Sequence, residues 1–168
     1  WTQTVLYYLD AHPLAISGSN IFVGGETGVY LSTNNGTSWT QTALYNRYIL
    51  SLATSGDSIF AGTDSYGVYV STNNGTSWTQ TALTNESVYS LAISGNNIFA
   101  GTHYNGGVFL STNNGTSWTQ TALNHGTVYS LAIFDSNIFA GTNSHGVYLS
   151  TNNGTNWTQT ALNDAYVY

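Results

Sequence analysis

The sequence predicts an all-β fold, a β-propeller of four-stranded antiparallel blades, and three observations carry that expectation. The phrase STNNGTSW at residues 32–39 returns at 71–78 and 111–118, and again as STNNGTNW at 150–157. The tryptophans Trp1, Trp39, Trp78, Trp118 and Trp157 stand 38, 39, 40 and 39 residues apart. Between them β-branched and aromatic residues alternate with small ones, and glycine punctuates every period, so helix signals are lacking. Strand-like content at a period near 40 is the signature of a propeller blade.

Within one period four strands are expected. VYSLAIS (88–94) opens the blade: Tyr89, Leu91 and Ile93 fall on one face, while small Ser90 and Ala92 suit the crowded inner position. After the turn SGNN, NIFAGT (97–102) is the second strand, GVFLST (107–112) the third and SWTQTAL (117–123) the fourth. A blade has two apolar faces and cannot bury both alone, so neighbours must stack. The whole chain, 1–168, is expected to be one propeller-type domain or a fragment of one. Its repeats are 1–38, 39–77, 78–117 and 118–156, with a partial repeat at 157–168. WTQTALNDAYVY at that end echoes the opening WTQTVLYYLDAH, which gives four complete repeats plus a redundant terminal strand.

STNNGTSW resembles the Asp box of the sialidase-type (BNR-like) propeller repeat, Ser-x-Asp-x-Gly-x-Ser/Thr-Trp. Ser32, Gly36, Ser38 and Trp39 match, with Asn34 in the place of the acid; Asn73, Asn113 and Asn152 stand likewise in the other copies. The repeat is also similar to that of photosystem II stability and assembly factors. The resemblance implies that the box is the hairpin between the third and fourth strands. It further implies that the Asn secures the turn and the Trp packs between blades. The structural residues are thus Asn34, Gly36, Trp39, Asn73, Gly75, Trp78, Asn113, Gly115, Trp118, Asn152, Gly154 and Trp157. Asn-Gly is independently the strongest two-residue hairpin signal, because both positions tolerate positive φ. An Asn side chain can close such a turn without a charge.

Composition then excludes several function classes. Charged residues are only 5%, with a single Lys or Arg (Arg47) and a formal charge of -6. Such a chain has no electrostatic grip on nucleic acid or on an anionic membrane surface. No apolar run reaches a membrane span, so no membrane insertion is expected. Cys is absent, leaving no disulfide, thiolate metal site or Cys nucleophile. The sialidase relatives use three arginines, which this chain does not have, and no Ser-His-Asp spacing marks a nucleophile. The acids Asp10, Asp64, Glu86 and Asp164 are expected as solvated loop residues rather than a hydrolytic pair. The four histidines lack the close spacing of a zinc site. No enzyme activity, cofactor or metal is expected.

What varies between the copies is confined to two connections. One leads from the fourth strand to the next blade: YYLDAH (7–12), YNRYIL (45–50), TNESV (84–88), NHGTV (124–128) and NDAYV (163–167). The other joins the second strand to the third: GET (25–27), DSY (64–66), HYNG (103–106) and NSH (143–145). In an up-and-down blade both lie on one side of the disc. Tyr supplies rigid contact area there and short polar residues adapt, as in other recognition loops. The candidate ligand-binding face is therefore Tyr8, Asp10, Glu26, Arg47, Tyr48, Asp64, Tyr66, Glu86, His103, Tyr104, Asn105, His125, His145 and Asp164. The function expected is non-enzymatic, extracellular or cell-surface recognition of a glycan or protein by this lectin-like face. The alternative is a structural scaffold, a filament or surface-assembly block that self-associates through overlapping terminal strands. The sequence opens at Trp1 rather than Met with no signal peptide visible, as expected of a chain whose leader has been removed or of an excerpt from a longer one. Sequons at Asn35, Asn74, Asn85, Asn114, Asn153 and Asn156 are possible glycosylation sites, although the hairpin explains the NGT copies on its own.

Overall fold

The computed structural model describes residues 13–104 and 106–168. Its sixteen strands form four antiparallel sheets, each running in chain order. The first holds β1 (Leu14–Ser17), β2 (Asn20–Gly25), β3 (Gly28–Ser32) and β4 (Thr40–Tyr45), and the second β5 (Ile49–Ser55), β6 (Ser58–Thr63), β7 (Val68–Ser71) and β8 (Thr79–Gln80). The third holds β9 (Val88–Ser94), β10 (Asn97–Thr102), β11 (Val108–Ser111) and β12 (Thr119–Gln120). The fourth holds β13 (Val128–Phe134), β14 (Asn137–Thr142), β15 (Gly146–Ser150) and β16 (Thr158–Gln159). These are propeller blades, and the expected all-β class holds. Thr158–Gln159 is the fourth blade's own outer strand; the opening copy of that phrase lies outside the described residues.

The second strand of each blade shows how sequence becomes packing. In NIFAGT, Ile98 and Ala100 point towards the preceding blade while Phe99 points towards the next, because side chains alternate. Phe60, Val68 and Leu83 of one blade thus close a core with Val88, Ile98 and Ala100 of its neighbour. Phe22, Val29 and Leu44 meet Ile49, Ile59 and Ala61 in the same way, and Phe99, Val108 and Leu123 meet Val128, Ile138 and Ala140. Each such Phe, fully removed from water, contributes about 1.5–3 kcal/mol. The Gly of NIFAGT has a steric reason: a Cβ at Gly101 would overlap Ser90 Oγ and come within 2.7 Å of Val128 Cγ1. The small face of the inner strand and this Gly let three layers of backbone approach.

The repeated phrase is a hydrogen-bonded knot. Asn34 Oδ1 accepts the Ser38 N–H at 2.9 Å and the Ser32 hydroxyl at 3.0 Å, and Asn34 Nδ2 donates to Ser38 Oγ at 2.9 Å. Buried Ser32 Oγ accepts the Gly36 N–H at 2.8 Å. The Asn-Gly pair takes positive φ in every copy (54° and 79° at Asn35 and Gly36), but within a longer loop, 33–39, rather than as a two-residue hairpin. The Ser hydroxyl, not a tight cross-strand turn, satisfies the glycine's amide. The fourth strand is also shorter than SWTQTAL predicts in the later blades, ending at Gln80, Gln120 and Gln159. Past the Gln the chain still bonds its own third strand, Thr81 N–H donating to the Val68 carbonyl and Val68 N–H to the Leu83 carbonyl, while Ala82 and Ala122 donate to the carbonyls of Gly115 and Gly154 in the next blade's box. Trp78, Trp118 and Trp157 likewise reach back, each Nε1 donating to Thr42, Thr81 or Thr121 of the preceding blade at 3.2 Å.

Candidate functional site

Both variable connections lie on one side, as the strand order requires, and the backbone ties them together. The Asp64, His103 and Asn143 amides, in the turns after the second strands, donate to the Tyr48, Ser87 and Thr127 carbonyls at the start of the inner strands. Side chains add to this: Ser65 N–H donates to Ser87 Oγ at 3.0 Å and Tyr104 N–H to Thr127 Oγ1 at 3.1 Å. A constant letter does the clamping from outside. Gln41, Gln80, Gln120 and Gln159 of the WTQ phrase donate to the carbonyls of Thr27, Tyr66, Gly106 and His145 at 2.7–2.9 Å. The scaffold thus presents loops of different sequence on one rigid mount.

The most developed feature on this side is an aromatic path. Exposed Tyr104 lies against His103 with ring centroids 3.8 Å apart, and His103 against Tyr89 at 5.1 Å. Tyr89 meets Tyr129 edge-on at 5.2 Å, and Tyr129 meets Tyr168 at 5.0 Å, with Tyr166 stacked on Tyr168 at 6.3 Å. Tyr89, Tyr129 and Tyr168 occupy one position in successive repeats, the second residue of a Val-Tyr pair. Beside the path lies a cleft of about 590 Å³ lined by Ser65, Asn85, Glu86, Ser87, His103, Tyr104, Gly106, Phe109 and Gln120. Burial holds the Glu86 carboxyl above its ordinary range. Burial, then the Tyr129 hydroxyl and the Asp64 charge, push the Tyr89 phenol up, so it stays protonated.

The expected residues do not form one cluster. Asp64, Glu86, His103 and Tyr104 gather around the cleft and path; Asp64 accepts the Ser87 hydroxyl at 2.7 Å and that of Ser65 at 3.2 Å. Arg47 sits with its guanidinium carbon 4.1 Å above the Tyr66 ring, a cation–π contact between neighbouring loops. His125 lies 6.3 Å from His145 and 6.2 Å from Tyr148, forming a third group. Glu26 and Asp164 are exposed and stand apart. Tyr48 is close enough to Tyr89 to influence its ionisation. Tyr8, Asp10 and Asn105 lie outside the described residues. Tyr89, Tyr129, Tyr166 and Tyr168 were not foreseen as site residues. Alternation had placed Tyr89 with the large strand residues, but recurrence of Val-Tyr at one repeat position could have marked the row. Among the described residues no His, Asp and Glu group could hold a metal ion.

Grooves of about 250–290 Å³ recur where a box turn meets the preceding outer strand, as at Leu31, Thr40–Ala43 and Asn74–Thr76. They contain no titratable side chain and follow from blade stacking alone. No helix among the described residues is long and apolar enough to cross a membrane.

Residues 59–167 match the family described as the DUF6242 beta propeller domain. The chain belongs to that family. An ancestral GH74 enzyme is 28% identical with a TM-score of 0.79, over 90% of this chain and 24% of that one. The extracellular domain of a protein assigned as a one component system of B. thetaiotaomicron is 20% identical with a TM-score of 0.80, over 99% and 25%. YCF48 from Cyanidioschyzon merolae is 14% identical with a TM-score of 0.70, over 93% and 58%. The chain therefore spans about a quarter of the first two and over half of the third. None of the curated proteins matches it.

Proposed function

We propose that the protein is a non-catalytic, extracellular recognition module that binds a neutral glycan along the path Tyr104–His103–Tyr89–Tyr129–Tyr168. The continuity of that path across successive blades is the observation that carries the reading. Aromatic faces are electron-rich and pack well against the C–H faces of sugar rings. The cleft beside them supplies Asn85, Ser65, Ser87 and Gln120 as neutral hydrogen-bonding groups. A chain of charge -6 suits a neutral ligand better than an acidic one. Similarity to a GH74 enzyme and to an extracellular domain supports the reading. The box turns keep an Asp-box role, with Asn as closing residue and Asn35, Asn74, Asn114 and Asn153 exposed for modification.

The test is affinity electrophoresis through gels containing neutral polysaccharides, with the unmodified chain and with Tyr89→Ala, Tyr104→Ala and Tyr129→Ala. Retardation by at least one polysaccharide, lost on substitution, is expected; stacking of one ring contributes on the order of 1 kcal/mol, or several-fold in affinity. Retention unchanged in all three variants, or no retention by any polysaccharide, overturns the proposal.

A further inference from the structure

Among the described residues the inner strands pack in chain order, β1 on β5, β5 on β9 and β9 on β13. Among the described residues, the outward faces of the first and fourth blades expose side chains that the other blades bury. On the first blade Leu14 and Ile16 are 61% and 59% exposed, whereas Leu52, Leu91 and Leu131, at the position of Leu14, are half-buried against a preceding blade. On the fourth blade Leu162 is 53% exposed, whereas Leu44, Leu83 and Leu123 at the same position are 5%, 5% and 1% exposed. Phe139 and Val147 are likewise only half-buried, while Phe22, Phe60 and Phe99, and Val29, Val68 and Val108, are completely buried.

These faces are the two halves of one interface, and the chain shows their fit three times over in its own cores. The ends of the described structure carry the match further. Val167 packs against Gly141 as Val128 packs against Gly101 and Val88 against Gly62, and its amide donates to the Thr142 carbonyl at 3.1 Å. Val167 and Tyr168 thus occupy the first two positions of an inner strand.

We infer that a second copy of this chain docks head to tail, its first blade against the fourth blade of the other, through Leu14 and Ile16 on one side and Phe139, Val147 and Leu162 on the other. The contact is heterologous, so it gives either a closed ring or an open series. It buries blade faces, which pairing of terminal strands alone would not.

Native mass of the full chain from nanomolar to tens of micromolar, with Ile16→Glu and Leu162→Glu, tests this. Both sites are exposed in the single chain, so the variants keep its circular dichroism spectrum. The unmodified chain is expected at multiples of 18.0 kDa as concentration rises. Each variant alone is expected to associate at least ten-fold more weakly. A mixture of the two retains one good pair of faces and is expected to give a 1:1 dimer and nothing larger. A single 18.0 kDa species for the unmodified chain at every concentration overturns the inference, leaving the faces to further blades of a longer polypeptide or to another protein. Association that neither substitution weakens overturns it as well.

Discussion

The substitution Ser71→Ala isolates what the repeated phrase contributes. Ser71 Oγ is buried; it accepts the Gly75 N–H at 2.9 Å and donates to Asn73 Oδ1 at 3.0 Å. Its contact with the Asn73 amide, at 3.4 Å, is long and adds little. Removing the hydroxyl leaves the Gly75 N–H without an acceptor beneath the packed blade boundary, where a buried donor costs about 1–3 kcal/mol. The loss of the Asn73 bond adds to this, and the expected total is about 2 kcal/mol. With a urea m-value of roughly 1–3 kcal/mol/M, that moves the midpoint down by on the order of 1 M, without a change in slope. Thr72, exposed on the same turn, is the control, and Thr72→Ala should stay within about 0.5 kcal/mol of the unmodified chain. Tryptophan fluorescence during urea unfolding reads both. If Ser71→Ala falls within about 0.5 kcal/mol of Thr72→Ala, the hydroxyl is not what secures the turn.

Three further outcomes follow from the same packing. Gly101→Ala forces a Cβ onto Ser90 Oγ and Val128 and should cost about 1–3 kcal/mol in urea unfolding, part of it regained with Ser90→Gly. Trp118→Phe gives up the bond to Thr81 and should cost about 0.5–1.5 kcal/mol more than Trp39→Phe, whose Nε1 has no partner to lose. Burial raises the Glu86 carboxyl, so its charged form opposes folding; that penalty is complete above the folded-state value and vanishes below the unfolded one. Glu86→Gln should therefore be slightly the more stable at pH 7, and the advantage should disappear as pH falls below about 4.5; an advantage that persists at pH 3 contradicts this origin.

Much of the fold was legible because strict repetition exposes its own steric rules. VYSLAIS and NIFAGT were read to their observed bounds, since alternation and the following Gly fix both face and end. The outer strands of the later blades were not, because after the Gln both Thr81 and Leu83 bond Val68 while Ala82 bonds the next blade, a local irregularity that no alternation pattern reveals. The placement of both variable connections on one side was also legible, as it follows from strand order alone. The grouping within that side was not. His103 joins Tyr89 while His125 joins Tyr148, a division set by loop geometry rather than spacing. Tyr89 and Tyr129 were missed because strand alternation explained their size before their position was asked about. The Gln of WTQ went unnoticed for a similar reason: its constancy suggested the scaffold, and its side chain holds the loops that vary.

The most direct measurement is hydrogen exchange of the full chain, alone and with a soluble oligosaccharide taken from a retaining polysaccharide. The account predicts slowed exchange at 64–66, 85–89 and 103–104 and at the Tyr129 and Tyr168 positions, with the box turns at 71–78 and 111–118 unchanged. Protection confined to the box turns and the grooves beside them would contradict it, and would place recognition on the face built from the repeated phrase.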